Sequence, residues 1–187
     1  MNFLLGLSRL IDKMNEAIGK TVMWGILVAV LISAGNASLR YALNIGSNAW
    51  LEAQWYLFSA VFLLCAGFTL LRNEHIRIDV VSSHLPRKAQ IWIDILGTLV
   101  FLLPMTILLT ELSWAMLVES YATQEVSTNT GGLIRWPVKL LVPVGFILLT
   151  LQGVSEMLKK IAILTGHLED PGPHGGHHTP VKTGEAS

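Results

Sequence analysis

The sequence predicts an all-α integral membrane protein, with four transmembrane helices, both termini in the cytoplasm, and an N-terminal amphipathic surface helix. Three observations predict it. Apolar residues make up 52% of the 187 residues and charged ones only 14%, where an ordinary soluble domain carries roughly 25% charged residues. Mean hydropathy is +0.54, and the apolar residues fall into blocks rather than at the spacing of a core face. The cations are sorted to one side of those blocks. This pattern excludes a disordered chain and argues against a soluble enzyme. Nucleic acid is not an expected partner, because thirteen Lys+Arg balance thirteen Asp+Glu and leave no basic field. The single cysteine, Cys65, lies inside an apolar block, so neither an intramolecular disulfide nor a Cys-based metal site is expected.

Residues 2–18 place Phe3, Leu4, Leu7, Leu10, Ile11, Met14 and Ile18 at helical spacing, with Asn2, Arg9, Lys13 and Glu16 on the other side. A short basic amphipathic helix ahead of a membrane span is expected to lie on the inner leaflet. The alternative is a stripe packed against the inner ends of the spans. A crossing helix needs about 20 largely apolar residues. Four blocks supply them, at about residues 21–43, 53–72, 90–112 and 135–157. Gly35-Asn36-Ala37 resembles a small-residue cleavage site, yet the first block is longer than a signal-peptide core and starts late, so it reads as an uncleaved helix. Pro104 and Pro143 are positioned to kink spans three and four, commonly a structural role in membrane helices.

Lysines and arginines set the orientation. Arg9, Lys13, Lys20, Arg72, Arg77, Arg87, Lys88, Lys159, Lys160 and Lys182 fall on one side; Arg40, Arg135 and Lys139 fall on the other. The richer side is expected to be cytoplasmic. The outer loop after about Ser113 begins with SWAMLVESYATQE, which can continue span three beyond the membrane, and passes into the polar turn VSTNTGG. Residues 166–187 are Gly/Pro/His-rich without apolar periodicity and are expected to be a disordered cytoplasmic tail. His174, His177 and His178 there lack the carboxylate or cysteine framework of a built metal site.

Chemistry inside the membrane is hard to find. An ionisable residue buried in a span is a functional hypothesis by default. Glu52, Asp94, Glu111, Lys139 and Glu156 all read as lying toward span ends, where snorkelling can hydrate them. No histidine lies within a span, which opposes a haem-carrying anchor. No catalytic, substrate-binding or metal residue is therefore assigned, and no enzyme activity or bound cofactor is expected. Gly25, Ala29, Ser33 and Ala37 recur every four residues and form a small-residue stripe for close helix approach. Whether the approaching helix belongs to this chain or to a partner is open at this point.

The stretch NAWLEAQWYLFSAVFLLCAGFTLLRNEHIRIDVVSSHLPRKAQIWIDILG carries a resemblance. Glu52 opens span two, Arg72 and then His75-Ile76-Arg77-Ile78-Asp79 follow its inner end, and Leu85-Pro86 turns into a charged entry to span three. In that order, with the four-span layout, the chain over about residues 1–165 resembles the small membrane (DctQ-like) subunit of TRAP transporters, the tripartite ATP-independent periplasmic transporters of bacteria and archaea.

The resemblance implies a non-catalytic scaffold in the cytoplasmic membrane. Its implied partners are a large membrane subunit that holds the substrate and sodium sites, a periplasmic binding protein that delivers an organic acid, and membrane lipids. Arg72 and Arg77 are expected to meet lipid phosphates or partner acids, and His75 and Asp79 to fix the loop by hydrogen bonds. Glu52 is expected to pair with Arg40 or to interact with the helix dipole. With these five, Gly25, Ala29, Ser33 and Ala37 complete the candidate partner or lipid interface. A membrane anchor of a redox or sensory complex is the alternative function, and a self-contained small carrier is a third.

Overall fold

A computed structural model describes residues 2–44, 46–72, 85–168 and 170. The helices are α1 (Asn2–Val22), α2 (Trp24–Leu43), α3 (Asn48–Leu64), α4 (Ala66–Leu71), α5 (Arg87–Gly97), α6 (Leu103–Ala122) and α7 (Trp136–Leu164), with a π-helical turn, Thr98–Leu102, joining α5 to α6. No strand occurs among the described residues. Four helical stretches are long and apolar enough to cross a membrane: Phe3–Leu43, Asn48–Leu71, Arg87–Ala122 and Trp136–Leu164. The chain is a multi-pass membrane protein.

The first stretch has 41 residues, about twice the length a bilayer requires. Arg9, Asp12, Lys13, Glu16 and Lys20 all fall on α1, so α2 is the crossing part. α1 is amphipathic, as its sequence spacing predicts, but it has three faces rather than two. Phe3, Leu4, Leu7 and Leu10 stay exposed, while Ser8, Ile11, Asn15 and Gly19 are buried. The buried stripe docks on α7 and α4. The apolar face is thus free to meet lipid while a small, polar face holds the helix to the bundle.

α2 and α3 form a hairpin. Asn44 ends α2 at φ 53°, a left-handed conformation that Asn tolerates at helix C-termini, and the Ser47 amide donates back to Asn36 Oδ1. α7 is the hub, packing on α1, α3, α4, α5, the π turn and α6. Small residues let the backbones approach. A Cβ on Gly145 would stand 2.8 Å from the Leu63 carbonyl oxygen, and one on Gly67 would collide with Asn15 Oδ1 and come within 3.2 Å of the Leu148 carbonyl oxygen. Without water to expel, such close van der Waals contact is the main adhesive between membrane helices.

The π turn has an identifiable cause. Pro104 has no amide hydrogen, and its ring would crowd the carbonyl of Val100 in a regular helix. The turn just before it widens instead, and the Leu103 amide bonds to the carbonyl five residues back, on Thr98. Thr98, Leu102 and Leu103 then all close around Gly153 of α7. Two further contacts fix the register. Lys160 pairs with Asp94, and Thr150 Oγ1 donates to Thr106 Oγ1 at 2.9 Å. Numbering falls on α7 as it rises through α5 and α6, so the third and fourth stretches are antiparallel.

Outer surfaces of the bundle remain apolar: Phe62 is 80% exposed and Phe101 75%. These residues face lipid or another protein, not water. Substitution separates the packed glycines from the free ones. Gly145→Ala forces α3 from α7 and is expected to cost about 1–3 kcal/mol, the range for overpacking. Gly35, on α2, has nothing within 4 Å of a built Cβ, and Gly35→Ala is expected to leave stability unchanged or raise it by up to about 1 kcal/mol, the helix preference of Ala over Gly. Thermal unfolding of both variants in detergent, followed by circular dichroism, checks the contrast.

Candidate functional site

Most polar residues gather at the two ends of the bundle; Thr106, Thr110, Glu111 and Thr150 lie between them. One end carries the 123–135 loop and is here the loop end; the other carries Arg72, Lys159 and Lys160 and is the basic end.

At the loop end, α3 projects Glu52 from its first turns, 5% exposed. Its carboxylate accepts from Ser127 Oγ, from Asn129 Nδ2 at 2.8 Å and from the Leu133 amide at 2.6 Å. Asn48 Nδ2 donates to the Thr130 carbonyl at 3.0 Å, and Tyr56 OH to the Ile134 carbonyl at 3.1 Å. The loop is folded back on itself. The Ser127 amide bonds Leu133 O, the Arg135 amide bonds Glu125 O, and Val126 and Ile134 form an isolated antiparallel bridge. Gly131 supplies the positive φ, 73°, that the turn requires. Lys139 of α7 pairs with Glu125, and Arg135 lies 3.8 Å from it. The hydrogen bond from Lys139, more than any other contact, holds the Glu125 carboxyl below the usual glutamate range. Glu52 takes its partners from this loop and not from Arg40, whose stem lies beside Gly46. α6 reaches Ala122, continuing span three past the block that the sequence delimits.

At the basic end, α1 meets α7 through side chains. Asn15 Nδ2 donates to Gln152 Oε1 at 2.9 Å, and Gln152 Nε2 donates to Asp12 Oδ1 at 2.9 Å. Ser155 Oγ donates to the same Asp12 oxygen at 2.8 Å, and the Ser8 and Ser155 hydroxyls lie 2.7 Å apart. Lys159 pairs with Asp12 at 3.2 Å and with Glu156. Ser8, Asn15, Gln152 and Ser155 are each 0% exposed. Asn15 Oδ1 has no conventional donor; it occupies the space that a Cβ on Gly67 would fill, a geometry in which a Cα–H is its weak donor.

Arg72 pairs with Glu16 at 3.1 Å and lies over the Phe68 ring, so its cation is shared within the chain. Arg87 holds Asp170 through two bonds of 2.6 and 2.7 Å. His75, Arg77 and Asp79 lie outside the described residues, as do residues 169 and 171–187, including His174, His177 and His178. Of the small-residue stripe, Ala29 is buried and Gly25 approaches Val61 and Leu57 of α3, whereas Ser33 is half-buried and Ala37 exposed. The approaching helix at Gly25 and Ala29 is therefore α3 of the same chain.

No group of three or more His, Cys, Asp or Glu is arranged to hold a metal among the described residues. A cleft of about 520 Å³ opens between α4, α5, α6 and α7, lined by Leu70, Phe101, Met105 and Phe146, with Asp94, Glu156 and Lys160 at its rim. Those three already pair with Lys160, Lys159 and Asp94, respectively. What the arrangement does chemically is tie helices and loop together. The stripe Ser8, Asp12, Asn15, Gly19 was present in the sequence at i, i+4, i+7, i+11, and Gln152, Ser155, Glu156, Lys159 at matching spacing. Attention to apolar periodicity passes over both.

Comparison with known proteins fits this geometry. Residues 17–162 match the family described as "Tripartite ATP-independent periplasmic transporters, DctQ component". The searches of curated proteins and of solved structures return no match.

Two outcomes test the loop clamp. Glu52→Ala leaves the Asn129 side chain and the Leu133 amide without their acceptor. It is expected to raise amide hydrogen exchange across residues 126–134 by at least tenfold while α7 stays protected. Glu125 has a folded pKa below its unfolded one, so its contribution is full above the ordinary glutamate value, about 4.3, and is lost as pH falls through the depressed value. Loop exchange, corrected for intrinsic rates, is expected to be constant from about pH 7 to 5 and to rise only below about pH 4, the step being smaller in Lys139→Met.

Proposed function

The chain belongs to the DctQ component family of tripartite ATP-independent periplasmic transporters, and from that premise we propose that it is the non-catalytic scaffold of a sodium-driven uptake system for an organic acid. In this reading a large membrane subunit binds substrate and sodium ions, and a periplasmic binding protein delivers the substrate. The small subunit described here pairs with the large one. The observation that carries the reading is where the polar side chains go: Glu52, Asp12, Asn15, Gln152 and Ser155 bind helix to helix or helix to loop. None of them lines the cleft of about 520 Å³. A scaffold needs rigid internal ties and an apolar outer surface, and the exposed faces of α2, α5 and α6 supply the second.

The basic end is assigned to the cytoplasm, by the distribution of Lys and Arg. Both termini and the 73–84 segment then lie inside, in the cytoplasmic membrane of a bacterium or archaeon. The clamped 123–135 loop faces the periplasm, on the side from which a binding protein approaches.

Reconstitution tests the proposal. Proteoliposomes holding this chain with the large subunit, supplied with the binding protein and an inward sodium gradient, are expected to accumulate labelled organic acid. Vesicles holding this chain alone are expected to accumulate none, and the purified chain is expected to show no binding of the acid by calorimetry. Uptake or binding by the isolated chain overturns the scaffold reading.

A further inference from the structure

The register between α6 and α7 places one carboxylate where the sequence does not suggest one. Thr106 is bonded to Thr150, so in the antiparallel pair Glu111 stands at about the level of Gly145 to Ile147. Ile147, Thr150 and Leu151 indeed line the same groove as Glu111, together with Ile107, Thr110 and Trp114; its volume is about 420 Å³. α6 runs on for about three turns past Glu111, to Ala122. Glu111 lies about 12 Å of helix rise short of Glu119 and about 9 Å inside the level of Lys139, at 1.5 Å per residue. Gly145 itself abuts Leu63, near the middle of the Asn48–Leu71 stretch. Glu111 is thus within the apolar zone and not at its edge.

Its side chain has no escape. Cβ bonds in a helix tilt toward the helix N-terminus, which directs Glu111 away from the Glu119 end and further into the apolar zone. It is exposed on the outside of the bundle, and it makes no hydrogen bond or ion pair with any described residue. A carboxylate facing hydrocarbon is costly, and in membrane proteins such groups pair with another protein group. Lipid headgroups do not reach this depth. Every other acidic residue within the four spanning stretches except Glu119, at the loop end, has a partner in the chain.

We propose that the α6–α7 groove around Glu111 is the seat of a membrane-spanning helix of the large transporter subunit, which presents a lysine or arginine to Glu111. The inference rests on the scaffold reading above and deepens it by naming the face. Ile107, Trp114 and Leu151 supply the apolar walls, and Glu111 fixes depth and partner.

The test uses the full-length chain as tagged bait, co-expressed with the large subunit and extracted in mild detergent. Wild type is expected to recover the large subunit in about one-to-one amount. Glu111→Lys is expected to reduce recovery at least tenfold, and the isosteric Glu111→Gln several-fold, both with unchanged helical circular dichroism. A photo-reactive residue at Ile107 is expected to cross-link the large subunit, and one at Leu31 on exposed α2 is not. Undiminished recovery with both Glu111 variants overturns the inference and leaves the scaffold reading standing. So does a cross-link from Ile107 to a second copy of this chain or to lipid alone. Failure of the wild-type bait to recover any large subunit removes the scaffold reading, and this inference with it.

Discussion

The seam between α1 and α7 is the contact on which the remaining packing depends. Five polar links cross it: Asn15 to Gln152, Gln152 to Asp12, Ser155 to Asp12, Ser8 to Ser155, and Lys159 to Asp12. Hydrogen bonds between membrane helices average about 0.6 kcal/mol each, so together they contribute on the order of 3 kcal/mol. Their larger effect is on register. Gln152 is fully buried with donors and acceptors both engaged, and any sliding of α1 along α7 leaves a carboxamide or a carboxylate unpaired in an apolar setting. The same seam positions Asn15 against Gly67 and Gly19 against Phe68, so α4 is located by α1 and α7 jointly.

At the opposite end Glu52 plays the corresponding part with different chemistry. A single carboxylate on α3 gathers two side chains and one backbone amide from the loop that enters α7. Membrane helices joined by long loops are free to splay at the loop. Here the connection between the third and fourth stretches is tied to the second, so three of the four are joined at that end. Short-range ties at each end and glycine contacts between them, at Gly145 and Gly153, bind the helices at several levels along the bundle.

Much of this architecture was legible in the sequence, because a bilayer demands long apolar runs and α-helices satisfy the backbone within them. The four stretches, the extension of span three toward Ala122, and the polar turn after it all follow from composition and block length. The docking of α1 was less legible. Its apolar face dominates the periodicity, while the face that holds it is made of Ser8, Asp12 and Asn15, residues that reveal their purpose only beside Gln152 and Ser155, some 140 positions away. Glu52 was recognisable as unusual, but its partners lie in a loop whose fold no local rule specifies. Glu111 reads as a span end because an uncharged block stops there, whereas the helix runs on to Ala122. The resemblance carried by Glu52, Arg72 and the residues after it identified the family, and the match over residues 17–162 agrees. His75, Arg77 and Asp79 fall outside the described residues.

The π turn before Pro104 has a consequence for length as well as for shape. A π turn amounts to one residue inserted into an otherwise regular helix, and each residue advances the helix by about 100°. The five residues Thr98–Leu102 therefore act as a phase setter between two half-helices, one carrying Asp94 and the other Thr106 and Glu111. Loss of a single residue from this stretch would restore an unbroken α-helix with the same phase, because the widened turn absorbs the extra residue. Winding the present five residues as regular α-helix would instead rotate everything beyond them by about 100°. Thr106 would turn from Thr150, and Glu111 from its groove, although no side chain in either place had changed. In this segment the winding of the backbone is as much a part of the specification as the kind of residue.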